Sequence, residues 1–587
     1  MNLTSKATST KRVLLVVVLL SIAAIVWFTK ASVGSSTDGN TAYQEIGDAK
    51  IAVLPFENKT DDPSFETLGI MAADWIIQGL VYLGNVQIVS HTNIQDHIQY
   101  LDQDDLHNEF AARTGAEKIV RGNYYLDGGY IFVESEVIDL RSGKIEWVMP
   151  VIKGAIENPD ELIGQLQQKF ATAFTASGHY FSPGVAQSPP TYGAYQLYQQ
   201  GTNLYGANFT KSIELFNQAI QKDKRFFMPY LFVTGAHFMN GEKAKADSVF
   251  NLIKTHINID YLPPTQKQWY WHWRAILNKD LPTAFENILL NLEVDPKQLM
   301  TNLEAGIMAN DLNRPAEAVR IFNFIEPEHV NSSTELSTWW HRHYAHNLYR
   351  LGRFKEAESI LAYIPKHLRR HWNYYERMAE LLIAQAQEER LEQLVQDLLQ
   401  NSGSLTDHLS TILFIAERYG VQQQTDKQIE WANRGLEWIT QQPQTMDINS
   451  YFPGTLYYIA GDYQQALPWL QKAIGEDLNW LQISKGEPGW LQLSSLGSCY
   501  LALGDLEHAQ QTLVRMQEWY ERSQDAGYLI AQAHFYAQQG NKDQAVAKIK
   551  AAFQKAHPYT PRAYENDFLL LPLKDYPPFE SFVRARG

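Results

Sequence analysis

At 587 residues the chain is too long for one hydrophobic core, and its 45% apolar content is that of a folded protein, so several domains or a repeat array are expected. A formal charge of −15 excludes the overall basic footprint of a nucleic-acid-binding chain, while leaving local basic patches open. The lone cysteine, Cys499, excludes an intrachain disulfide and a zinc-finger spacing, and it reads as an inert buried thiol.

Residues 1–12 carry Lys6, Lys11 and Arg12 and no acid, which predicts a cytoplasmic tail. Residues 13–29 are apolar through Phe28 apart from Ser21. As a helix the apolar run spans about 24 Å, a little under the ~30 Å hydrocarbon core. It predicts a single-pass transmembrane anchor with the bulk of the chain extracytoplasmic, periplasmic if there are two membranes. A cleaved signal peptide, with Thr29 and Ala31 as its small residues, is the alternative. Residues 30–48 are rich in Gly, Ser and Thr and read as a linker.

From residue 49 the pattern alternates between strands and helices. KIAVLP (50–55) and VQIVS (86–90) read as strands, and residues 64–83 as a helix with Ser64 as its cap. Three further strands, EKIVRGNYYL, YIFVESEVIDL and KIEWVMPVI, are joined by turns at Asp127-Gly128-Gly129 and Arg141-Ser142-Gly143. Residues 158–174 close the unit as a helix with Pro159 near its start. The prediction is a small α/β domain with a mixed sheet, over 49–177.

A Pro/Gly linker (178–192) leads to residues 193–557, where one spacing recurs. A glycine is followed five positions later by alanine at Gly461/Ala466, Gly504/Ala509, Gly540/Ala545, Gly241/Ala246 and Gly352/Ala357, and Asn313/Ala318 has Asn in place of Gly. Seven residues before the turn stands a small residue: Gly454, Gly497, Ala533, Gly306 or Ala345. Tyr457, Tyr500 and Tyr536 precede the last three turns, and Ala473 and Ala552 follow two of them. This is the pattern of a helical hairpin whose first helix ends in a left-handed cap and whose second meets it through alanine. The spacing resembles the tetratricopeptide repeat, which implies a stacked all-α superhelix of roughly nine hairpins. Segments 269–296, 374–400 and 411–443 are less regular. Residues 558–587, broken by prolines, read as a tail capping the last repeat.

A second resemblance rests on IAVLPFENKTDDPSFETLGIMAADWIIQGL, VQIVSHTNI and TGAEKIVRGNYYLDGGYIFVESEVIDLRSGKIEW. These stretches look like the TolB amino-terminal-like domain, related to the flagellar FlgO-type domain. In that family the domain often precedes tetratricopeptide repeats, following a DNA-binding, kinase or cyclase domain in bacterial regulators. Here an anchor and linker stand in that place, so the resemblance implies no output domain on this chain.

Chemistry-bearing motifs are sparse. Trp269, Trp271, Trp273 and Arg274, with Trp339, Trp340 and Arg342, suit either a partner-binding hot spot or the packed joints between repeats. His343/His346 and His367/His371 have helical spacing, but no HExxH pattern or cysteine accompanies them, and no metal is assigned. Glu57, Asn58, Lys59, Asp61 and Asp62 form a polar loop after the first strand, either solvated or facing a ligand. Residues 79–85 lack the lysine and hydroxyl of a phosphate loop. No catalytic residue and no cofactor is predicted. The expected function is a membrane-anchored, non-enzymatic scaffold whose concave surface receives a protein partner. The sensor half of a signalling system, with its output on another chain, is the alternative.

Overall fold

The structure is a computed structural model that describes residues 49–82, 86–89, 94, 110–112, 114–174, 188–205, 208–330, 335–369, 372–401, 405–442, 448–475, 489–560, 562 and 564–585. The anchor and linker expected over residues 1–48 lie outside the described residues. No helix among the described residues is long and apolar enough to cross a membrane.

Six strands make one mixed sheet in the order β3-β1-β4-β5-β6, with β2 against β4. They are β1 Lys50–Val53, β2 Glu57–Asn58, β3 Gln87–Val89, β4 Lys118–Asp127, β5 Tyr130–Asp139 and β6 Lys144–Ala155. Pairings among β1 to β4 are parallel, and β4-β5-β6 is an antiparallel meander, as the glycine-rich turns predict. Helices α1 (Glu66–Tyr82) and α2 (Pro159–Ala173) pack on each other and on the sheet. A Cβ on Gly69 would come within 2.0 Å of the Phe56 carbonyl oxygen, so only glycine lets α1 lie this close to the loop after β1. The cap differs from the sequence expectation. The Asp62 carboxylate, not Ser64, accepts the first free N–H, that of Ser64 at 2.9 Å, and starts a 3-10 turn ahead of α1.

Ten helical hairpins follow, among the described residues. In order they are Tyr192–Leu204 with Phe209–Lys222, Phe227–Met239 with Lys243–His256, Pro264–Leu277 with Leu281–Val294, Leu299–Asp311 with Pro315–Phe322, and Glu335–Arg350 with Phe354–Ala362. Then come Trp372–Ala384 with Glu388–Asn401, Leu405–Val421 with Thr425–Thr440, Tyr451–Ala460 with Tyr463–Ala473, Trp490–Ala502 with Leu506–Ser523, and Gly527–Gln538 with Lys542–Gln554. This is a tetratricopeptide-like array.

The turn residues of the recurring signature share one backbone conformation. Gly241, Asn313, Gly352, Gly461, Gly504 and Gly540 all have φ between 60° and 84°. At each, two backbone bonds close the turn; at Gly461 they are Gly461 N–H to Tyr458 and Asp462 N–H to Tyr457. The alanines five positions on begin the second helix of each hairpin. Ala246, Ala318, Ala357, Ala466 and Ala545 are 0% exposed and Ala509 is 1% exposed. Ala318 and Ala357 belong to the core of hairpins three to six, Ala466, Ala473 and Ala509 to the core of hairpins six to ten. The small residues of the first helices, Gly306, Gly454 and Gly497, are buried too, against Phe322, Leu470 and Met516. From the fourth hairpin onward, the first helix of each hairpin packs on the first helix of the next. These first helices form the inner face of the array.

The α/β domain is docked on the first three hairpins. Tyr195 donates its hydroxyl to Asp74, Tyr192 and Gln196 each donate to the Ser64 carbonyl at 3.0 Å, and Trp75 meets the Tyr195 ring edge-on at 5.5 Å. Gln266 in the third hairpin donates to Gln78 on α1 at 3.3 Å.

Candidate functional site: the inner face of the array

The inner face buries charged side chains, Glu376, Arg377, Glu380 and Arg418 among them. Its centre is Phe414, in the seventh hairpin, with the guanidinium groups of Arg377, Arg418 and Arg562 at 5.1, 4.9 and 5.1 Å from the ring centre. Arg377 pairs with Glu380, one turn along the same helix, and Arg418 stands 4.0 Å from the other oxygen of that carboxylate. Arg562 bonds Glu376 at 2.7 Å and the Ser410 carbonyl at 3.0 Å, and lies 3.6 Å from Glu417. Burial pushes the carboxyls of Glu380 and Glu417 up and the Arg418 guanidinium down. For Arg562 burial also works against the charge, but Glu376 and Glu417 outweigh it and the pKa rises.

Arg562 is not part of the array. It belongs to the C-terminal tail, and the tail is what fills this face. Asn310 donates to the Tyr559 carbonyl at 2.6 Å, and the Arg350 guanidinium covers the Tyr559 ring at 4.4 Å. Glu565 pairs with Arg350 at 3.5 Å. Arg418 donates to the Asn566 carbonyl, and Gln538 to that of Leu569 at 2.7 Å. Asn313 donates to Val583 and Arg584. The tail covers the last repeat through Leu570, Leu573, Phe579, Phe582 and Val583 against Val546 and Ile549. It also crosses the first helices of hairpins four to seven. The trough expected to receive a partner holds this chain's own residues.

The alanines of the repeat signature take no part in this face. Ala318, Ala357, Ala466, Ala509 and Ala545 lie on second helices, enclosed in the apolar cores between helices, where a methyl group can touch neighbours but no ligand can reach it. They set the spacing of the array.

Ser494, His534 and Asp567 stand in line. The Ser494 hydroxyl meets His534 Nδ1, and His534 Nε2 lies 2.7 Å from the Asp567 carboxylate. The sequence gives no local signal for this set, because its members lie 40 and 33 residues apart. Ser494 is 1% exposed, inside the helix Trp490–Ala502, where the neighbouring N–H groups serve the helix rather than an oxyanion. The arrangement ties the tail to hairpins nine and ten.

The aromatic candidates separate. Trp340 is 0% exposed and donates its indole N–H to Asn302 at 2.7 Å, so it packs the joint and presents no binding surface. Trp269, Trp273 and Trp339 are half-buried against core residues. Arg342 is buried, and Arg274 reaches Asn251 at 3.4 Å. Trp271, 44% exposed, is the one tryptophan of the set open to solvent. His346 has Arg377 3.3 Å from its Nδ1, and His343 is held down to about 3, by burial first and then by Arg342 and Arg377, so a cation is repelled from this pair. His371 lies outside the described residues, and among these no metal-ligand cluster occurs. In the polar loop, Asn58 accepts from Thr60 N–H and hydroxyl at 2.9 and 2.6 Å, and Lys59 pairs with Glu57, so these groups satisfy one another.

No protein-family model matches the chain, and no curated protein sequence matches it. Among solved structures it is similar to a tetratricopeptide repeat protein from Parabacteroides merdae, at 14% identity over 46% of this chain and 99% of that one, with a TM-score of 0.28. It is also similar to human IFIT1, solved as a dimer with m7Gppp-AAAA, at 14% identity over 64% and 92%, with a TM-score of 0.28. A third is the C-terminal part of a TPR repeat-containing protein from Cytophaga hutchinsonii, at 12% identity over 47% and 93%, with a TM-score of 0.23.

Proposed function

We propose that this chain is a non-enzymatic scaffold that binds protein partners through its helical array. In this reading residues 13–29 hold it in a membrane, and the array and a TolB-like α/β domain face the extracytoplasmic space. The observation that carries it is an inner face built to hold a polypeptide backbone. Side-chain amides of Asn310, Asn313 and Gln538 each donate to main-chain carbonyls of the tail, those of Tyr559, Val583 and Leu569. Such contacts suit peptide capture and have no role in bond-breaking chemistry. The closed Ser494–His534–Asp567 line, with its hydroxyl buried in a helix, also favours binding over hydrolysis.

Affinity purification of the detergent-solubilised full chain tests this. Stoichiometric envelope or secretion proteins are the expected result. Recovery of a kinase, cyclase or regulator would transfer support to the sensor reading. An array that retains no protein from its own membrane extract would remove the scaffold reading. Topology has a separate check: a C-terminal reporter active only in the cytoplasm would overturn the extracytoplasmic placement.

A further inference from the structure

The contacts on the inner face are of two kinds. Asn310 and Arg418 donate to the carbonyls of Tyr559 and Asn566, and every residue has a carbonyl, so these contacts hold a chain without reading its sequence. Charge does the reading. Within the array, Arg377 and Arg418 both address Glu380. Glu376 and Glu417 on one side and Arg350 on the other are answered from the tail: Arg562 sits between the two glutamates at 2.7 and 3.6 Å, and Glu565, three residues on, meets Arg350 at 3.5 Å. Under the tail the Glu376 and Arg350 side chains are each 4% exposed, so any occupant that covers them as the tail does must answer both charges in the same pattern.

The tail is an imperfect complement. Glu417 Oε2, Glu565 Oε2, Arg377 Nη2, and Nε and Nη1 of Arg418 are buried with no hydrogen-bond partner among the described residues. Each such atom carries a desolvation cost that a better-fitting ligand would relieve. The segment runs between the helix ending at Gln554 and the apolar contacts from Leu570 to Val583, and its own Tyr559 and Tyr564 are buried in that same cluster, so an occupant that replaces it must also fill the two tyrosine positions.

From this geometry we infer that the inner face is an exchangeable peptide site. Residues 558–567 are its resident occupant, and its partner presents an unstructured segment with an arginine followed three residues later by an acid. This rests on the reading of the array as a protein-binding scaffold and names what that scaffold binds. Because the resident segment is tethered, a partner competes against a high local concentration and engages weakly until the strap is loosened.

The test uses the full chain in detergent and a fluorescent peptide with the sequence of residues 556–568. A control peptide carries Arg562→Glu and Glu565→Arg. In the chain, the double variant Arg562→Gln/Glu565→Gln loosens the strap. Hydrogen exchange should rise across 558–567 while hairpins five to seven stay protected. The peptide should bind this variant about tenfold or more tighter than it binds the wild type, and the control peptide should bind neither. An exposed strap with protected hairpins and no peptide binding overturns the inference, as does equal binding of the control. If the variant does not fold, excess peptide is added to the wild-type chain. Deprotection of 558–567 supports exchange, and unchanged protection at saturating peptide overturns it. Partner capture that survives loss of peptide binding overturns this inference alone and leaves the scaffold reading standing.

Discussion

Asn313 and Arg584 are joined by a hydrogen bond of 3.1 Å, from the Asn313 amide to the Arg584 carbonyl, made from a backbone held at φ 60°. The other turns of this signature use glycine because nothing but the backbone is needed there. Asn313 tolerates the same left-handed conformation and adds an amide. It donates to Val583 as well, and its oxygen accepts from Arg350. Asn313→Gly should keep the turn and lose the anchor, lowering stability by about 1–2 kcal/mol and raising hydrogen exchange near residue 583. Asn313→Ala should cost about 1 kcal/mol more, from left-handed strain. A glycine variant with unchanged exchange at the tail would show that the anchor is inert.

Two helix glycines that look alike in sequence should respond in opposite directions. A Cβ at Gly306 would sit 2.3 Å from Phe322 Cζ, and that ring is locked between Trp340 and Tyr344. Gly306→Ala should destabilise by about 1–3 kcal/mol through overpacking. A Cβ at Gly497 meets the flexible end of Met516 at 3.3 Å. Gly497→Ala should stabilise by about 0.5 kcal/mol from helix propensity. Denaturant midpoints at constant slope separate the two.

The buried titratable groups should pull stability in opposite directions as pH changes. Burial holds His343 down to about 3 and His557 to about 4, and His346 well below its ordinary value. Unfolded histidines take protons near pH 6.5, so stability is lost as pH falls from there toward 4. Asp311 runs the other way: burial, then Glu304, raise it to about 8 against Asn310 and Arg350. Its contribution is complete below the unfolded value near 3.8 and gone above 8, so it erodes as pH rises. Burial of Glu380, Glu417 and Glu565 adds to that limb. Asp311→Asn should flatten the decline between pH 6.5 and 8 in urea melts. A variant with the wild-type slope would assign that limb elsewhere.

Native-state reagents should miss both nucleophiles. Burial raises the Cys499 thiol to about 11, and the residue is 0% exposed. A disulfide reagent should react with the unfolded chain only. A fluorophosphonate should leave Ser494 unlabelled in the folded protein. Rapid labelling of Ser494 would reopen the hydrolase question.

Some repeats were hidden because their turns use other residues. Lys279, Ala386 and Gln423 adopt φ of 63°, 53° and 61° and make the same pair of closing bonds as the glycines. They fall within the three segments that read as irregular. Lys279 still stands five residues before Ala284, 0% exposed, so this repeat keeps the alanine of the signature. In the other two, Leu391 and Gln428 take the position that Ala318, Ala357, Ala466 and Ala509 hold elsewhere, and what remains of the signature is the small residue seven before the turn, Ala379 and Ala416, with Tyr419 four before the second. Trp340 and Trp271 illustrate the same limit at the candidate site: both are tryptophans on helices, and only the neighbouring helices decide that one is enclosed and the other open.

The periodic placement of small and apolar residues determined the sheet, the hairpins and most of the turns, because strand alternation, left-handed caps and close helix contacts are short-range requirements written within a dozen or so residues. The destination of the tail was decided only by the tertiary structure. Arg562 and Glu376 lie 186 residues apart and each reads by itself as an ordinary solvated charge. They meet because the helices stack in register over successive hairpins, so their pairing is a property of the accumulated geometry and not of any local pattern.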